Sequence, residues 1–596
     1  MENTEKKDFT KVAKNIAINP KRSPRVKKES IAKVNKSKNG LDKIKIIPLG
    51  GLGEIGKNMT AVEIGNDIFV IDAGLTFPDE TMLGIDIVIP DMTYLEENKD
   101  RVRALLVTHG HEDHIGAVPY LLKKIPTKVY STKLTLGLIE VKLKEHNIDT
   151  SCLKTVHAGQ TIKLYDTDIE FVRVNHSIPD ATSIVLHTKI GKIIFTGDFK
   201  IDYTPIDDDY MDLQRFGQLG KEGVLLMLQD STNVERPGYT MSEVRVRETF
   251  KQIFIEAQER IIIATFASNL YRVQQVIDAT EYHNRKLFIS GRSMEKNVRI
   301  AIDLGYLKIK KETLRHINEI DKFQADEIVL LTTGSQGEPL SALTRLSKSE
   351  HRKVKLMPGD TVVISATPIP GNEGAMGDVI NNLTNIGCNV IYSKLAEVHV
   401  SGHAAREELK LMLSLVRPKF FIPVHGEARH LKIHKELAVS VGIREENILV
   451  GKNGDVFELT PNSMKITNSV TSGPVLIDGL GVGDVGNVVL RDRKHLSEEG
   501  LIAVAVNFDP KTNKLVGKPE IITRGFVFVK GSTELFDKII ALTERIMDDL
   551  NKSTKRTDIN LIKNTFRDKL KSYVFSELKR DPMILPMVME VTNEWN

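Results

Sequence analysis

Between Leu106 and Ala117 the chain reads LVTHGHEDHIGA, which places three histidines and two carboxylates within six positions. In His109-Gly110-His111 the i,i+2 spacing puts both imidazoles on one side of an extended segment leaving the run ALLVT. Asp113 and His114 follow where the next helix should begin, so their side chains can turn toward the same point. Neutral imidazole and carboxylate are ligands for zinc and similar borderline metals, and four of them in so short a span can hold two ions a few Å apart. Other apolar runs end in further candidates: His176 closes FVRVNH, Asp198 closes IIFTGD, and His425 closes FFIPVH just before Gly426. Any one of these alone would more often be structural. A carboxylate such as Asp198 is suited to bridge two ions and keep them near the ~4 Å spacing of two-metal hydrolases. Asp72, also at a strand end, is expected to hydrogen-bond into the cluster without being a ligand.

The elements that must position these residues are short and alternate in type. AVEIG, DIFVIDAG, ALLVTHG, KVYST, IEFVRVNH, SIVLHT and KIIFTGD read as strands, while VPYLLKKI and LTLGLIEVKLKEH read as helices. That mixture predicts a layered α/β domain beginning near residue 43 and continuing to about 238. From 239 to 392 the helix SEVRVRETFKQIFIEAQER and then RIIIATFA, NLYRVQQVIDATEYH, KLFISG, EIVLLTTG and TVVISATP form a second α/β module. KFFIPVHGE returns to the first style, so the module reads as inserted, with 393–460 completing the first domain. A connector over 461–497 and a small α+β domain over 498–596 complete the expected order, the latter with a hairpin (LIAVAVNFDPKTNKLVGKPEIITRGFVFV) and two closing helices.

At 596 residues the chain suggests roughly three or four domains. Its 41% hydrophobic and 27% charged composition is that of a globular protein. No apolar run approaches the ~18 residues of a membrane helix, and the N-terminus is polar, unlike a signal peptide. Two cysteines, Cys152 and Cys388, exclude a disulfide framework and point to inert thiols in a reducing cytoplasm. Residues 1–40 carry 12 Lys/Arg against 4 Asp/Glu, so the net charge of +4 divides into +8 for this arm and −4 for the remainder. The arm (1–42) is expected to be disordered, either attracting polyanions without specificity or serving as a solubilising extension. Any nucleic-acid surface on the slightly acidic body must therefore be a local groove. Gly51-Leu52-Gly53-Glu54-Ile55-Gly56 matches the dinucleotide GxGxxG pattern, but AVEI, a Gly65-Asn66-Asp67 turn and DIFVIDAG follow it. A hairpin is predicted there, whereas a Rossmann fingerprint must open a helix.

Asp72, HGHEDH, His176, Asp198 and His425, in this order, resemble the signature of the metallo-β-lactamase fold, an αββα sandwich. By that resemblance His109, His111 and His176 hold one zinc, Asp113, His114 and His425 hold the second, and Asp198 bridges them. The ligands alone do not name a substrate. More than 220 residues separate Asp198 from His425, and the inserted module is similar to the β-CASP insertion of nucleic-acid-processing relatives. In that subfamily an acidic motif precedes the insertion and two histidine motifs follow it. Asp230 in LQDSTN, His403 in HVSGHA and His425 in PVHGE fit all three, and a histidine at the last position resembles the RNA-directed branch. LGGLGEIGKN, DSTNVERPG, TFASNLYRVQQ, TGSQGEP, HVSGHA, PKFFIPVHGE and TRGFV together resemble the bacterial ribonuclease J family over about 43–596.

The resemblance implies a zinc-dependent ribonuclease with 5′-to-3′ exonuclease action favoured by a 5′-monophosphate, together with endonuclease activity, in RNA maturation and mRNA decay. Asp113 is then both ligand and catalytic. His403 is the candidate general acid for the leaving 3′-oxygen, with Asp230 orienting its ring. Ser401, Gly402 and His403, with Ser268 in FASN, are candidates for a terminal-phosphate pocket, and Arg292 in SGRSM for contact with the RNA backbone. A helix cap for Ser268 and a surface ion pair for Arg292 are equally open. His399 is read as structural or as support one bond behind the ligands, and Phe266 and Tyr271 lie near the same segment as Ser268. Self-association through the C-terminal domain, as a homodimer or homotetramer, is also implied, with a paralogue or RNA-decay proteins as partners. The alternatives are a DNA-directed nuclease, a small-molecule metallohydrolase and a non-catalytic RNA-binding scaffold.

Overall fold

The runs read as strands at the start of the chain pair into two facing sheets. The computed structural model describes residues 43–338, 341–367, 372–512, 514–527, 533–553 and 558–591, so the basic arm lies outside the described residues. The first sheet has the order Met464–Ser469, Asp455–Leu459, Ile44–Gly50, Met59–Ile64, Asp67–Ile71, Val102–Leu106, Lys128–Ser131 and Leu153–Thr155. The second runs Phe420–Val424, Val224–Asp230, Gly191–Phe195, Thr182–Thr188, Thr167–Arg173 and Thr161–Leu164. Between them Ile46, Phe69 and Leu106 of one sheet meet Phe171, Phe195 and Leu228 of the other, all buried. Helices Val118–Lys124 and Lys133–Glu145 cover the first sheet's outer face. Leu213–Glu222, Arg406–Val416 and Ala428–Ser440 cover the second's. This is an αββα sandwich. The glycine pattern opens no helix: Met59–Ile64 and Asp67–Ile71 pair antiparallel about Gly65-Asn66.

Strands Val224–Asp230 and Phe420–Val424 lie side by side and parallel, although 189 residues of chain separate Asp230 from Phe420. Between them a third sheet forms, ordered Leu314–Arg315, Lys286–Ser290, Ile328–Thr332, Ile261–Ala264, Thr361–Ile364 and Asn389–Tyr392, with every pairing parallel. Val244–Glu256, Leu270–Tyr282 and Arg292–Leu304 pack on one face, Ala342–Ser347 and Glu373–Ile386 on the other. Burial on both faces is why these strands read as continuous apolar runs without alternation. One side chain gathers the crossings between module and sandwich. Arg272, fully buried, donates to Glu243 Oε2 at 2.8 Å, to the Val398 carbonyl and to the Ser365 hydroxyl. Outbound linker, module and inbound linker thus meet on one guanidinium, and removing one partner of such a buried pair typically costs ~3–5 kcal/mol.

The segment 461–497 is tied to the sandwich. It supplies the edge strand Met464–Ser469 and the strand Pro474–Asp478, which pairs with Ile87–Pro90, before helix Asn487–Glu499. In the C-terminal region the predicted hairpin pairs Leu501–Asp509 with Glu520–Arg524, and a further strand, Met583–Glu590, runs parallel beside it. Pro586 argues against a strand in MILPMVME, but Met583–Glu590 lies at the sheet edge, where proline is tolerated. The apolar side of helix Thr533–Ser553 packs inward through Ile539, Ile546 and Met547. The sheet's other face leaves Ile522, Leu585, Met587 and Met589 between 44% and 49% exposed. Among the described residues no helix is long and apolar enough to cross a membrane. Cys388 is buried and its thiol is pushed up to about 11, chiefly by burial, while Cys152 is half-buried.

Candidate metal centre

The residues expected to hold metal all arrive at one rim of the sandwich, where strands of both sheets end. Val102–Leu106 delivers Thr108, His109 and His111, and the short helix Glu112–Ile115 carries Asp113 and His114. Asp67–Ile71 ends at Asp72, and Phe420–Val424 ends at His425. Both residues adopt left-handed backbone (φ 58° and 53°), which turns each side chain back toward the cluster. Such conformations are costly for non-glycine residues and gather at functional sites. The His425 amide donates to the Gly51 carbonyl at 2.8 Å, so the glycine loop braces this turn. At Gly74 a β-carbon would lie 1.5 Å from the Asp113 carbonyl oxygen, so only glycine lets the HGHEDH turn settle against this strand end.

Three overlapping sets of ligand atoms converge, each within 4.8 Å: His109, His111, His176 and Asp198; Asp113, His114, Asp198 and His425; and Asp198, Asp230, His403 and His425. Asp198 is common to all three, and the first two are the sets expected to hold metal. In the first set His111 Nδ1 lies 3.2 Å from His109 Nε2 and 3.0 Å from His176 Nε2. In the second, Asp198 Oδ2 is 3.2 Å from His114 Nε2 and its Oδ1 is 3.2 Å from His425 Nδ1, while Asp113 Oδ2 is 3.2 Å from His425 Nε2.

The hydrogen bonds behind the rings fit a metal. His176 Nδ1–H donates to the Gly402 carbonyl at 2.7 Å, and His114 Nδ1–H to Asp72 Oδ2 at 2.8 Å. The Thr108 hydroxyl donates to Asp72 Oδ2 (2.9 Å) and accepts from His109 Nδ1–H (3.0 Å). The Thr232 hydroxyl donates to Asp230 Oδ1 (2.7 Å) and accepts from His425 Nδ1–H (3.0 Å). His109 and His176 therefore keep an unprotonated Nε2 beside His111 Nδ1, while the Nε2 atoms of His114 and His425 face the Asp198 and Asp113 carboxylates, which help hold both rings above the ordinary histidine range. Unprotonated nitrogens about 3 Å apart repel one another unless a cation lies among them, so the donor set fits zinc, oriented by its supporting hydrogen bonds.

Electrostatics divide the centre. Burial, reinforced by neighbouring imidazoles, holds His109 and His176 well below the usual histidine range, and burial holds His111 at about 4 against the opposing pull of Asp113 and Asp198. Burial would raise Asp113 and Asp198, but His114 and His425 outweigh it and hold both carboxyls below their ordinary range. The opposite balance raises His425 to about 10: burial lowers it, and Asp198, Asp113 and Asp230 more than compensate.

His403 stands at the edge of this group. Its Nδ1–H donates to Asp230 Oδ2 at 2.8 Å, and Nδ1 lies 4.0 Å from Asp198 Oδ2. Burial lowers its pKa, but Asp230 and then Asp198 raise it further, above the ordinary histidine value. Ser401 lies alongside, its oxygen accepting from Asn233 Nδ2 (2.7 Å) and from the His403 amide (3.2 Å). Gly402 has a metal-side task, because its carbonyl holds His176. A β-carbon there would sit 2.6 Å from His176 Cε1. Ser268 and Arg292 are not brought into the cluster. Ser268 precedes Asn269, which is the actual cap of helix Leu270–Tyr282. Arg292 is exposed at the start of its helix, with no ion pair among the described residues. His399 is half-buried beside Phe266 and near Arg272, its pKa pushed down to about 3 chiefly by burial.

Several residues that set this geometry were not singled out from sequence: Thr108, Asn58, Thr232 and Asn233. Asn58 donates to the Asp113 carbonyl at 3.1 Å. Thr108, Thr232 and Asn233 lie within one to three positions of recognised motif residues. That proximity was the available signal.

Comparison with known proteins accounts for nearly the whole chain. Residues 52–234 match the metallo-beta-lactamase superfamily, 258–383 the ribonuclease J beta-CASP domain, 390–449 a Zn-dependent metallo-hydrolase RNA specificity domain, and 488–591 the ribonuclease J C-terminal domain. Ribonuclease J2 of Bacillus subtilis is 44% identical over 93% of this chain and 100% of its own length. Ribonuclease J 1 of Streptococcus pyogenes is 42% identical over 92% and 98%, and ribonuclease J of Thermus thermophilus 42% over 92% and 96%. A solved protein of unknown function from Enterococcus faecalis superposes with a TM-score of 0.50 at 14% identity, over 70% of this chain and 100% of its own, and so shares the fold. With a complete ligand set at the rim of its sandwich and relatives matched nearly end to end, the chain belongs to the ribonuclease J family of metal-dependent hydrolases.

Proposed function

We propose that the protein hydrolyses RNA phosphodiesters, acting 5′ to 3′ as an exonuclease that prefers a 5′-monophosphate and also cutting internally, in RNA maturation and mRNA decay in a reducing cytoplasm. The observation that carries this reading is the Asp230–His403 pair beside the ligand cluster, together with family membership. A pair of zinc ions, when bound at such a site, lowers the pKa of water and offsets negative charge on phosphorus. His109, His111 and His176 would hold one ion and Asp113, His114 and His425 the other, with Asp198 shared. The chain's own residues do the rest. The half-exposed Asp113 carboxylate accepts a hydrogen bond from the attacking water and aims it in line with the scissile bond. As the new P–O bond forms and the P–O3′ bond breaks, His403 delivers its Nε2 proton to the departing oxygen. Asp230 holds the ring at Nδ1 and favours the imidazolium that can make that delivery. The products are a 5′-phosphate and a 3′-hydroxyl. Ser401, whose oxygen already accepts from Asn233 and the His403 amide, can donate its own O–H to a terminal phosphate. Ser268 and Arg292 extend that recognition from the inserted module, and His425 favours RNA over DNA.

The test offers the protein linear 5′-monophosphorylated, 5′-triphosphorylated and circular RNAs and single-stranded DNA, with and without a chelator. Chelator-sensitive mononucleotide release, fastest from the monophosphate, is expected, with circular RNA cut more slowly. Equal action on DNA, or turnover insensitive to metal removal, would overturn the reading.

Self-association through the C-terminal region is a second part of the proposal, supported by the exposed apolar sheet face of Ile522, Leu585, Met587 and Met589. The occupant proposed is a second copy, giving a dimer or tetramer, with a paralogue as another candidate. Met587→Lys should shift the sedimentation profile toward monomer without loss of fold; an unchanged profile would remove this face from consideration.

A further inference from the structure

Glu408 lies in the first turn of helix Arg406–Val416 and has no exposed surface. From sequence it is an unremarkable member of REELK. In the fold its carboxylate gathers three backbone N–H groups, one from its own helix cap and two from remote segments. Oε1 accepts from Ile201 at 2.7 Å, and Oε2 accepts from Thr240 at 2.6 Å and from Ala405 at 2.8 Å. Ile201 is three residues beyond Asp198, the shared ligand. Thr240 is on the linker leading into the inserted module, and Ala405 is two residues beyond His403. A helix-capping role explains only the bond to Ala405. The other two reach across 207 and 168 residues of sequence.

The next link leads to His403 itself. The Thr240 hydroxyl donates to the His403 carbonyl at 2.8 Å, and Asn233 Nδ2 donates to the same oxygen at 3.0 Å. The His403 backbone is thus clamped by the linker on one side and by the turn bearing Asp230 on the other, and Glu408 fixes the linker to the Asp198 loop.

We propose that Glu408 is a positioning residue that sets the ring of His403 against the ligand cluster by tying together the Asp198 loop, the linker at Thr240 and the turn after His403. The inference rests on the reading of His403 as the general acid. Misplacement of a reacting group by ~1 Å typically costs ~100-fold in rate. Loss of the carboxylate should therefore slow proton delivery while leaving RNA binding and metal retention intact.

The test exploits the leaving group. An RNA with one 3′-S-phosphorothiolate linkage expels a thiolate, a weaker base than the alkoxide that leaves normally, so its departure needs little help from an acid. Single-turnover rates on oxygen and sulfur substrates are compared for the parent protein, His403→Ala, Glu408→Gln and Thr240→Val, with zinc content measured for each. Glu408→Gln should slow the oxygen substrate by about 10- to 100-fold, leave KM nearly unchanged, retain zinc and act on the sulfur substrate almost like the parent. Thr240→Val keeps the Glu408 carboxylate and removes only the hydroxyl contact, so it should show the same pattern more weakly. It carries the test alone if Glu408→Gln does not fold. If His403→Ala is rescued by sulfur but neither other variant is, this inference falls while the general-acid reading stands. If His403→Ala is not rescued either, both fall. A loss expressed in KM, or loss of zinc from Glu408→Gln, also overturns the positioning role.

Discussion

The ligand-bearing loops of the sandwich and the loops of the inserted module both follow strand ends, yet they surround their side chains very differently. His109, His176, Asp198 and His425 are each no more than 3% exposed, and the histidine rings are held from behind by hydrogen bonds to Thr108, Gly402 and Thr232. Ser268 is half-buried with no comparable support, and Arg292 projects into solvent. The first set is arranged before any substrate arrives. The second, under the proposed function, acquires its partners only when RNA arrives. Chemistry that stabilises developing charge requires prior organisation, whereas recognition of a flexible strand tolerates side chains that order on binding.

The comparison is broken most directly at its rigid side. Asp198→Ala removes the carboxylate common to both ligand sets and should reduce RNA cleavage to background, with metal content falling in parallel. Zinc analysis of the purified variant checks this, and retained activity would mean that the two sets are not joined through Asp198. His403→Ala should cost about 10²- to 10⁴-fold in kcat while the metal stays in place. That dissociation of rate from metal content separates proton delivery from ligation.

Asp72→Asn probes the support one bond behind the ligands. Asparagine can still accept from His114 Nδ1–H, but the charge is lost and its amide NH2 cannot accept the Thr108 backbone N–H that Asp72 Oδ1 now holds at 2.7 Å. Metal affinity should fall by about 10- to 100-fold, with activity recovered at raised zinc. Isothermal titration gives the affinity, and recovery should be complete because no reacting group has been removed.

These variants also mark how far the sequence could be read. The seven candidate ligands are legible because few tasks call for histidine and aspartate at that density beside strand ends, and the long gap between Asp198 and His425 marks an insertion. Continuous apolar runs such as RIIIATFA and TVVISATP disclosed buried strands, although only the paired sheet shows them all parallel. Thr108, Asn233 and Glu408 stayed hidden for a different reason. Threonine, asparagine and glutamate have many ordinary uses, and what makes these three special is a partner, which for Glu408 lies 207 or 168 residues away. Gly402 is a candidate for the phosphate pocket, and its carbonyl also holds His176, a contact invisible in sequence because it depends on packing between segments 226 residues apart. The strand Met583–Glu590 was missed because its proline argues against a strand wherever the sheet edge is unknown.

The smallest effects belong to the module, and they sharpen the contrast most. Arg292→Ala removes an exposed cation that has no ion pair among the described residues, so stability should change by less than ~0.5 kcal/mol. If Arg292 meets the RNA backbone, KM should rise a few-fold on every RNA length that reaches it, with kcat unchanged and the dependence on salt reduced by about one charge. Ser268→Ala should behave otherwise. A hydroxyl that binds the terminal phosphate distinguishes 5′-monophosphate from 5′-hydroxyl RNA, so its loss should narrow that preference and leave the salt dependence alone. Measuring KM against salt for both ends in both variants separates a backbone contact from an end-recognition contact. If neither variant moves either quantity, recognition lies instead among the buried neighbours of His403, and the division between a rigid chemical rim and an adaptable module would disappear.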